Sequence, residues 1–287
     1  MPWEIARPAR ASALPGIDMA GFRIGGDGPQ RLRAVPHPAV TVVVEFGDRC
    51  FDISDAAGRT YSGSLVLGLA DSAAPVRVRA IECVQLRLSP LVARAVLGCP
   101  PGELRGGIVE LDDLWGRDAA RLRERLHESP DWGRRFALIA TTLSARLRDA
   151  PRTDPEVASA WRQIVLGRGA LRVEDLAADV GWSRQRLWSR FGDRIGLTPK
   201  RAAMLVRFDH AVHRLVRGES PARVAAESGY ADQPHLYRDV RGFTGTTLAR
   251  AVDEPWLAVD DRAWPTTAAT AGSPMRSARP AGHRRGR

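Results

Sequence analysis

The sequence predicts an α+β chain in two parts, a β-rich N-terminal domain carrying a helical hairpin and an all-α C-terminal domain. Three observations predict it. Between about Ala39 and Leu88, short β-branched or alternating runs (AVTVVVEFGD, RCFDIS, YSGSLVLGLA, VRVRAIECVQLRL) are punctuated by Gly, Asp and Pro, the pattern of an antiparallel sandwich or small barrel. From Pro90 the apolar period becomes helical. From Pro155 to about Val252, one helical pattern follows another.

The elements follow in order. SPLVARAVLG predicts a short helix ended by Gly98. GRDAARLRERLHE and WGRRFALIATTLSARLRDA place apolar residues at helical spacing, the second stopping near Pro151. PRTDPE, residues 151–156, has the composition of a linker. The final stretch, from Asp253, is rich in Pro, Ala, Gly, Ser and Arg with almost nothing to bury, and predicts a disordered basic tail. The expected domains are therefore residues 1–152, 153–252 and the tail 253–287.

At 287 residues and 44% hydrophobic content, the chain can fill a core in each of two domains. It has no apolar run of membrane-spanning length, and prolines and charges interrupt the N-terminus where a secretory signal would be apolar, so a cytoplasmic location and no membrane partner are expected. Cys50, Cys83 and Cys99 are odd in number and widely spaced, which predicts reduced thiols rather than a disulfide framework or a zinc site.

The net charge of +10 is unevenly spread. Residues 157–252 hold 16 basic against 9 acidic residues, net +7, while residues 1–156 hold 21 against 20. Only Lys200 among the 43 basic residues is lysine, so part of the arginine content is compositional. A shift in sign balance at one boundary still points to a polyanionic partner for the helical domain.

That domain contains a duplication. Ala177-Ala178-Asp179-Val180-Gly181-Trp182-Ser183 aligns with Ala225-Ala226-Glu227-Ser228-Gly229-Tyr230-Ala231, and beyond it Leu187 matches Leu236 and Phe191 matches Val240. Two helix-turn-helix units in tandem are the simplest account. Leu176, Ala177 and Val180, like Val224, Ala225 and Ala226, suit the inner face of a first helix, Gly181 and Gly229 the turn, and Ser183 and Asp232 the cap of a second. The side chains left over near each second helix's N-terminal end are polar: Gln185, Trp188 and Ser189 in one unit, and Gln233, His235 and Arg238 in the other. Such a helix enters a DNA major groove, where Arg suits guanine and Gln suits adenine. Between the units, Thr198 as cap, Pro199 and Gly218 bound a helix of about 18 residues, roughly 27 Å long, against about 34 Å for one turn of B-DNA.

Residues of about 157–250 resemble the DNA-binding domain of the AraC/XylS family of transcription regulators. The resemblance rests on the paired Ala-x-x-x-Gly-aromatic turns, the Gly-Leu-Thr-Pro after the first unit, Arg207-Phe208-x-x-Ala211, and the Gly-Tyr-x-Asp-x-x-His-Leu-x-Arg of the second unit. It implies a bacterial, non-enzymatic activator or repressor, with a variable, often cupin-like N-terminal sensing or dimerisation domain. The partners to expect are double-stranded DNA, RNA polymerase, a small-molecule effector and a second copy of the chain. The implied DNA-contacting residues are Ser183, Arg184, Gln185, Arg186, Trp188 and Ser189, then Gln233, Pro234, His235, Tyr237 and Arg238. Ser189 stands where the family often has arginine, GTTLAR lacks the closing Pro and Tyr, and Val240 replaces an aromatic whose volume Phe243 can fill.

Neither a cofactor nor catalysis is expected of the N-terminal domain. His37 is the only histidine before His127, too few for cupin-type metal chemistry, and there is no Gly-x-Ser-x-Gly. A metal-free pocket or oligomerisation surface fits better. Tyr61, Trp115, Trp132 and Phe136 are candidates to line a pocket, though core is the commoner role for such residues. His210 and His213, i and i+3 on the connecting helix, are expected on a solvated face. The competing reading is a small-molecule binding protein or metal-free enzyme whose helical domain is only an interaction module, and it predicts no steep salt-dependent DNA affinity.

Overall fold

The computed structural model describes residues 3–9, 14–25, 30–47, 51–78, 80–104, 106–148 and 153–264. The chain opens with β1 (Trp3–Ala6), β2 (Ile17–Ile24), β3 (Gln30–Ala34), β4 (Val40–Glu45), β5 (Phe51–Ser54), β6 (Thr60–Ser62), β7 (Leu65–Leu67), β8 (Ala74–Val78) and β9 (Ile81–Leu88). Helices α1 (Pro90–Leu97) and α2 (Pro101–Leu104) follow, then β10 (Ile108–Glu110), α3 (Leu111–Trp115) and the hairpin α4 (Arg117–Glu128) and α5 (Trp132–Arg148). The second half is α6 (Pro155–Leu166), α7 (Val173–Asp179), α8 (Arg184–Ile195), α9 (Pro199–Val216), α10 (Pro221–Glu227), α11 (Gln233–Thr244), α12 (Leu248–Val252) and α13 (Pro255–Ala263).

The strands form two antiparallel sheets, one in the order β1-β2-β9-β4-β7-β10 and one in the order β3-β8-β5-β6. Side chains alternate across each strand, so Val40, Val42 and Val44 of β4 enter one core while Val43 enters another. The second core lies between the sheets, with Phe22, Leu32, Phe51, Ile53, Val76 and Cys83 among its members. The first lies on the far face of the larger sheet, beneath α1 and the α4–α5 hairpin, and runs on into the helical domain. Burial on both faces explains why β4 reads as an apolar run rather than an alternation. The three strands before Ala39 lie outside the stretch whose pattern signalled strands; β2, IDMAGFRI, is buried on both faces for the same reason.

Helix signals in the sequence have direct counterparts. Ser89 caps α1, its Oγ accepting from Leu91 N–H at 3.4 Å, and Gly98 ends it in the left-handed conformation. The expectation that residues after 253 have nothing to bury needs correcting. Residues 255–263 are helical, and Leu257, Val259, Ala263 and Trp264 are buried, the last three in the core between the sheets. Residues 265–287 lie outside the described part, as does Cys50; Cys83 is a buried and Cys99 a half-buried free thiol. Among the described residues no helix is long and apolar enough to cross a membrane.

Candidate nucleic-acid interface

Each helix-turn-helix unit is assembled from the residues its sequence singles out. In the first, Leu176 and Ala177 are buried, Gly181 turns the chain at φ 67°, and Trp182 N–H reaches back to the Ala177 carbonyl at 3.0 Å. Ser183 Oγ then accepts from Arg186 N–H at 3.2 Å, starting α8. Leu187, Phe191 and Ile195 form the buried stripe at i, i+4 and i+8, with Phe191 against Trp161 of α6 at 6.4 Å between ring centres. This leaves Arg184, Gln185, Arg186 and Ser189 exposed and Trp188 half-buried. The Arg184 guanidinium lies 5.7 Å from the Trp188 ring and that of Arg186 4.5 Å from Trp182, so the two arginines border the aromatic pair.

The second unit repeats the plan with a different interior. Ser220 caps α10, Gly229 makes the turn at φ 75°, and Asp232 Oδ1 accepts from His235 N–H at 2.7 Å. Leu236, Val240 and Phe243 are buried, and Phe243 stacks on Phe208 of α9 with ring centres 4.6 Å apart, supplying the aromatic volume that Val240 lacks. Ala226, expected on the inner face of α10, is exposed, because this short helix turns Val224, Ala225 and Ser228 inward instead. Gln233, Pro234, Tyr237 and Arg238 are exposed. Tyr237 donates to Gln233 Oε1 at 3.4 Å, and Arg238 Nε donates to the Pro234 carbonyl at 3.3 Å, which keeps all four on one surface.

His235 is placed differently from its neighbours. It is half-buried, packs edge-on against Tyr230 at 5.2 Å, and has its Nε2 3.4 Å from Arg207 of α9. Arg207 in turn pairs with the buried Asp239 at 2.9 Å and covers the Tyr230 ring at 4.5 Å. His235 thus belongs with the scaffold that ties α11 to α9. The same connecting helix is anchored at its other end, where Arg214 pairs with both Glu219 and Glu227 at 2.5 Å, holding α10 in place.

Both second helices are held at their C-terminal ends by the N-terminal domain, which leaves their N-terminal turns outermost. At α8, Gly102 of α2 sits so close that a Cβ there would be 2.4 Å from the Asp193 carbonyl oxygen. At α11, Ala73 N–H donates to the Phe243 carbonyl at 2.7 Å. Beside it, Arg201 of α9 donates to the Asp71 carboxylate at 2.5 Å and to the Asp71 carbonyl at 2.7 Å, while lying 4.3 Å above the Phe243 ring.

A third attachment runs through α13. Asp260, 4% exposed, pairs with Arg87 of β9 and accepts from His213 Nε2 of α9 at 3.0 Å. Arg87 also lies 4.6 Å from the Trp264 ring, which packs near Phe22. His213, expected on a solvated face, is therefore part of the contact between the domains, while His210 is half-buried with Arg168 3.4 Å away. Asp71, Arg87 and Arg201 carry no local pattern that marks them, since each partner is far away in the chain. Asp260 alone had a signal: at helical spacing from Leu257 and Trp264 it falls on an apolar face.

Of the four aromatic candidates for a pocket, Trp115 and Phe136 are core residues, and Trp132 lies over Gly21 with its Nε1 donating to Glu4 at 2.7 Å. Tyr61 donates to Asp55 at 3.2 Å.

Residues 176–252 match the model of the helix-turn-helix domain family. No curated protein matches the chain in sequence. Among solved structures, it is similar to ToxT from Vibrio cholerae O395, at 10% identity and a TM-score of 0.48 over 83% of this chain and 98% of that one. It is similar to unsaturated fatty acid-bound ToxT from V. cholerae strain SCE256, at 11% and 0.49 over 85% and 97%. The AraC-like transcriptional activator CuxR is similar at 13% and 0.29 over 82% and 90%.

Proposed function

We propose that this chain, whose residues 176–252 belong to the helix-turn-helix domain family, is a sequence-specific DNA-binding transcription regulator of the AraC type. The observation that carries the reading is the shared posture of α8 and α11. Each is capped at its N-terminus, buried along one stripe and held at its C-terminal end, and the polar side chains of its first turns are exposed. Helix N-termini and exposed arginines bind phosphates, and the projecting side chains read base edges. Gln185 and Ser189 read one subsite, Gln233 and Arg238 the other, with Ser183, Arg184, Arg186, Pro234 and Tyr237 set against the backbone. Trp188 packs at the edge of the first surface. His235 orients α11 rather than reading bases.

The DNA-binding domain extends over residues 153–252, and residues 1–152 form a domain that takes an effector or a second copy of the chain. Promoter binding presents the protein to RNA polymerase in the bacterial cytoplasm, at the nucleoid. The protein is a regulator and not an enzyme.

Selection of bound sequences from random duplex DNA by the purified full chain tests this. The expected product is a two-part motif with subsites about one helical turn apart, and affinity falling steeply with salt. Recovery of no motif with and without cell extract small molecules, together with salt-insensitive binding, overturns it.

A further inference from the structure

Between the two sheets lies a cavity of about 290 Å³. Its wall is largely apolar, with Phe22, Val43, Phe51, Ile53, Val76 and Ile108 contributing. Its polar groups are few. His37 and Thr41 meet there with Nε2 and Oγ1 2.9 Å apart, and Gln85 lines it although only 2% exposed. The charged side chains among the described lining residues are Asp55 and Asp71, both acids. His37 adds no cation, because burial and the neighbouring Arg87 hold it well below the ordinary histidine range. Arg87 is committed to Asp260 and to the Trp264 ring.

A carboxylate in this space would lose its water and gain no counter-charge, a cost that the apolar wall does not offset. An uncharged molecule has no such cost, and one hydroxyl, carbonyl or amide on it finds donors and acceptors at His37, Thr41 and Gln85.

One side of the cavity is the connection between β7 and β8. Gly68 and residues 70–74 line it, and the same residues hold the helical domain, Asp71 through Arg201 and Ala73 through the Phe243 carbonyl at the end of α11. Gly106, also in the wall, abuts Gly68 and the Leu69 carbonyl, and Gly68 lies against Leu104 of α2, which packs on α8. The cavity wall thus includes the residues that hold the C-terminal end of α11, and it borders α2, which abuts the C-terminal end of α8.

We propose that this cavity binds an uncharged, mainly apolar small molecule with one hydrogen-bonding end, and that residues 68–74 transmit its occupancy to α11. The proposal rests on the regulator reading above for its second half only. Filling the cavity presses on residues 70–74 and moves the Phe243 end of α11, so effector and DNA affinities are linked.

The experiment uses the full chain and the neutral fluorophore N-phenyl-1-naphthylamine. The expected result is saturable binding to one site, displaced by 1-decanol at a concentration at least about tenfold lower than by decanoate at about pH 8, the margin that a stranded carboxylate implies. Val43→Trp and Val76→Trp, checked for native circular dichroism, fill the space and abolish binding. Non-saturable fluorescence, decanoate competing as well as decanol, or a folded filled variant that still binds the fluorophore overturns the site. Saturating fluorophore is then expected to change the affinity for selected duplex DNA by about threefold or more, an effect that Arg201→Ala loses while keeping the fluorophore site. An unchanged DNA affinity overturns the coupling. If the protein reads no DNA at all, the alcohol and carboxylate comparison still decides the cavity, and the failure belongs to the regulator reading alone.

Discussion

The imidazole of His213 stands between two acceptors, its Nδ1 2.7 Å from the Asp209 carbonyl and its Nε2 3.0 Å from the Asp260 carboxylate. Both ring nitrogens must donate to satisfy that geometry, so the half-buried ring is an imidazolium. Burial opposes the charge, but the Asp260 hydrogen bond and the charges of Asp209 and Asp260 outweigh it and bring His213 up to about 9. Asp260 is likewise opposed by burial, and Arg87 and His213 bring it down to about 2. The histidine's contribution is full below its unfolded value near 6.5 and is lost as pH rises through about 9. Thermal melts of the full chain should fall across that window by on the order of 2 kcal/mol, and His213→Gln should flatten the profile there.

Glu45 gives a different pH window. It is 7% exposed, its Oε1 has no hydrogen-bond partner, and burial followed by the nearby Asp52 charge pushes it up to about 7 against the pull of Arg123. Its folded value is raised, so stability is greatest below the unfolded value of 4.5 and is lost as pH rises through about 7. Glu45→Gln should raise the melting point at about pH 8 by about 1–2 kcal/mol of stability and leave it near wild type at about pH 4.

Two arginines, Arg238 in the second unit and Arg207 on the connecting helix α9, should separate folding from reading. Arg238 is exposed, so Arg238→Ala should leave stability within about 0.5 kcal/mol while weakening selected DNA by about 1–3 kcal/mol and relaxing one subsite. Arg207 pairs with the buried Asp239, and Arg207→Ala strands that carboxylate at a cost of about 3–5 kcal/mol. Calorimetric melting beside DNA titration at one salt concentration checks both. Loss of stability in Arg238→Ala would contradict its placement.

The two turn glycines should differ. Gly181 and Gly229 both have positive φ, which costs a side chain about 1 kcal/mol, but a Cβ at Gly181 meets nothing within 4 Å, whereas one at Gly229 comes 3.0 Å from the Ala170 Cβ. Gly229→Ala should therefore destabilise more than Gly181→Ala in chemical denaturation.

What could be read from the sequence was whatever is local. Ser89, Ser183, Thr198 and Asp232 cap helices because a side-chain oxygen near an orphan N–H needs no distant partner. The buried stripes of α8 and α11 followed from spacing alone, and so did the exposed polar turns. His235 has no local sign of its half-buried placement, because its neighbours in sequence face solvent and Arg207 and Tyr230, which draw it inward, are brought up by folding. β2 lacks an alternating pattern because both its faces are buried, β3 pairs with β8 forty or more residues later, and only α13 is buried by the other half of the chain. Arg87, 173 residues from its partner Asp260, has no local signature of its own.

α13 also has a bearing on how the protein is made. The core between the sheets takes in Phe22 and Leu32 from the first strands and Val259, Ala263 and Trp264 from the last described helix. A chain growing from the ribosome lays down every strand of that core long before residue 264 emerges, and domains ordinarily fold as they appear. Here the core between the sheets lacks part of its filling until α6 to α12 have been synthesised and α13 follows them. A chain broken off after the last helix-turn-helix unit therefore lacks Val259, Ala263 and Trp264 and leaves its first-made core unfinished.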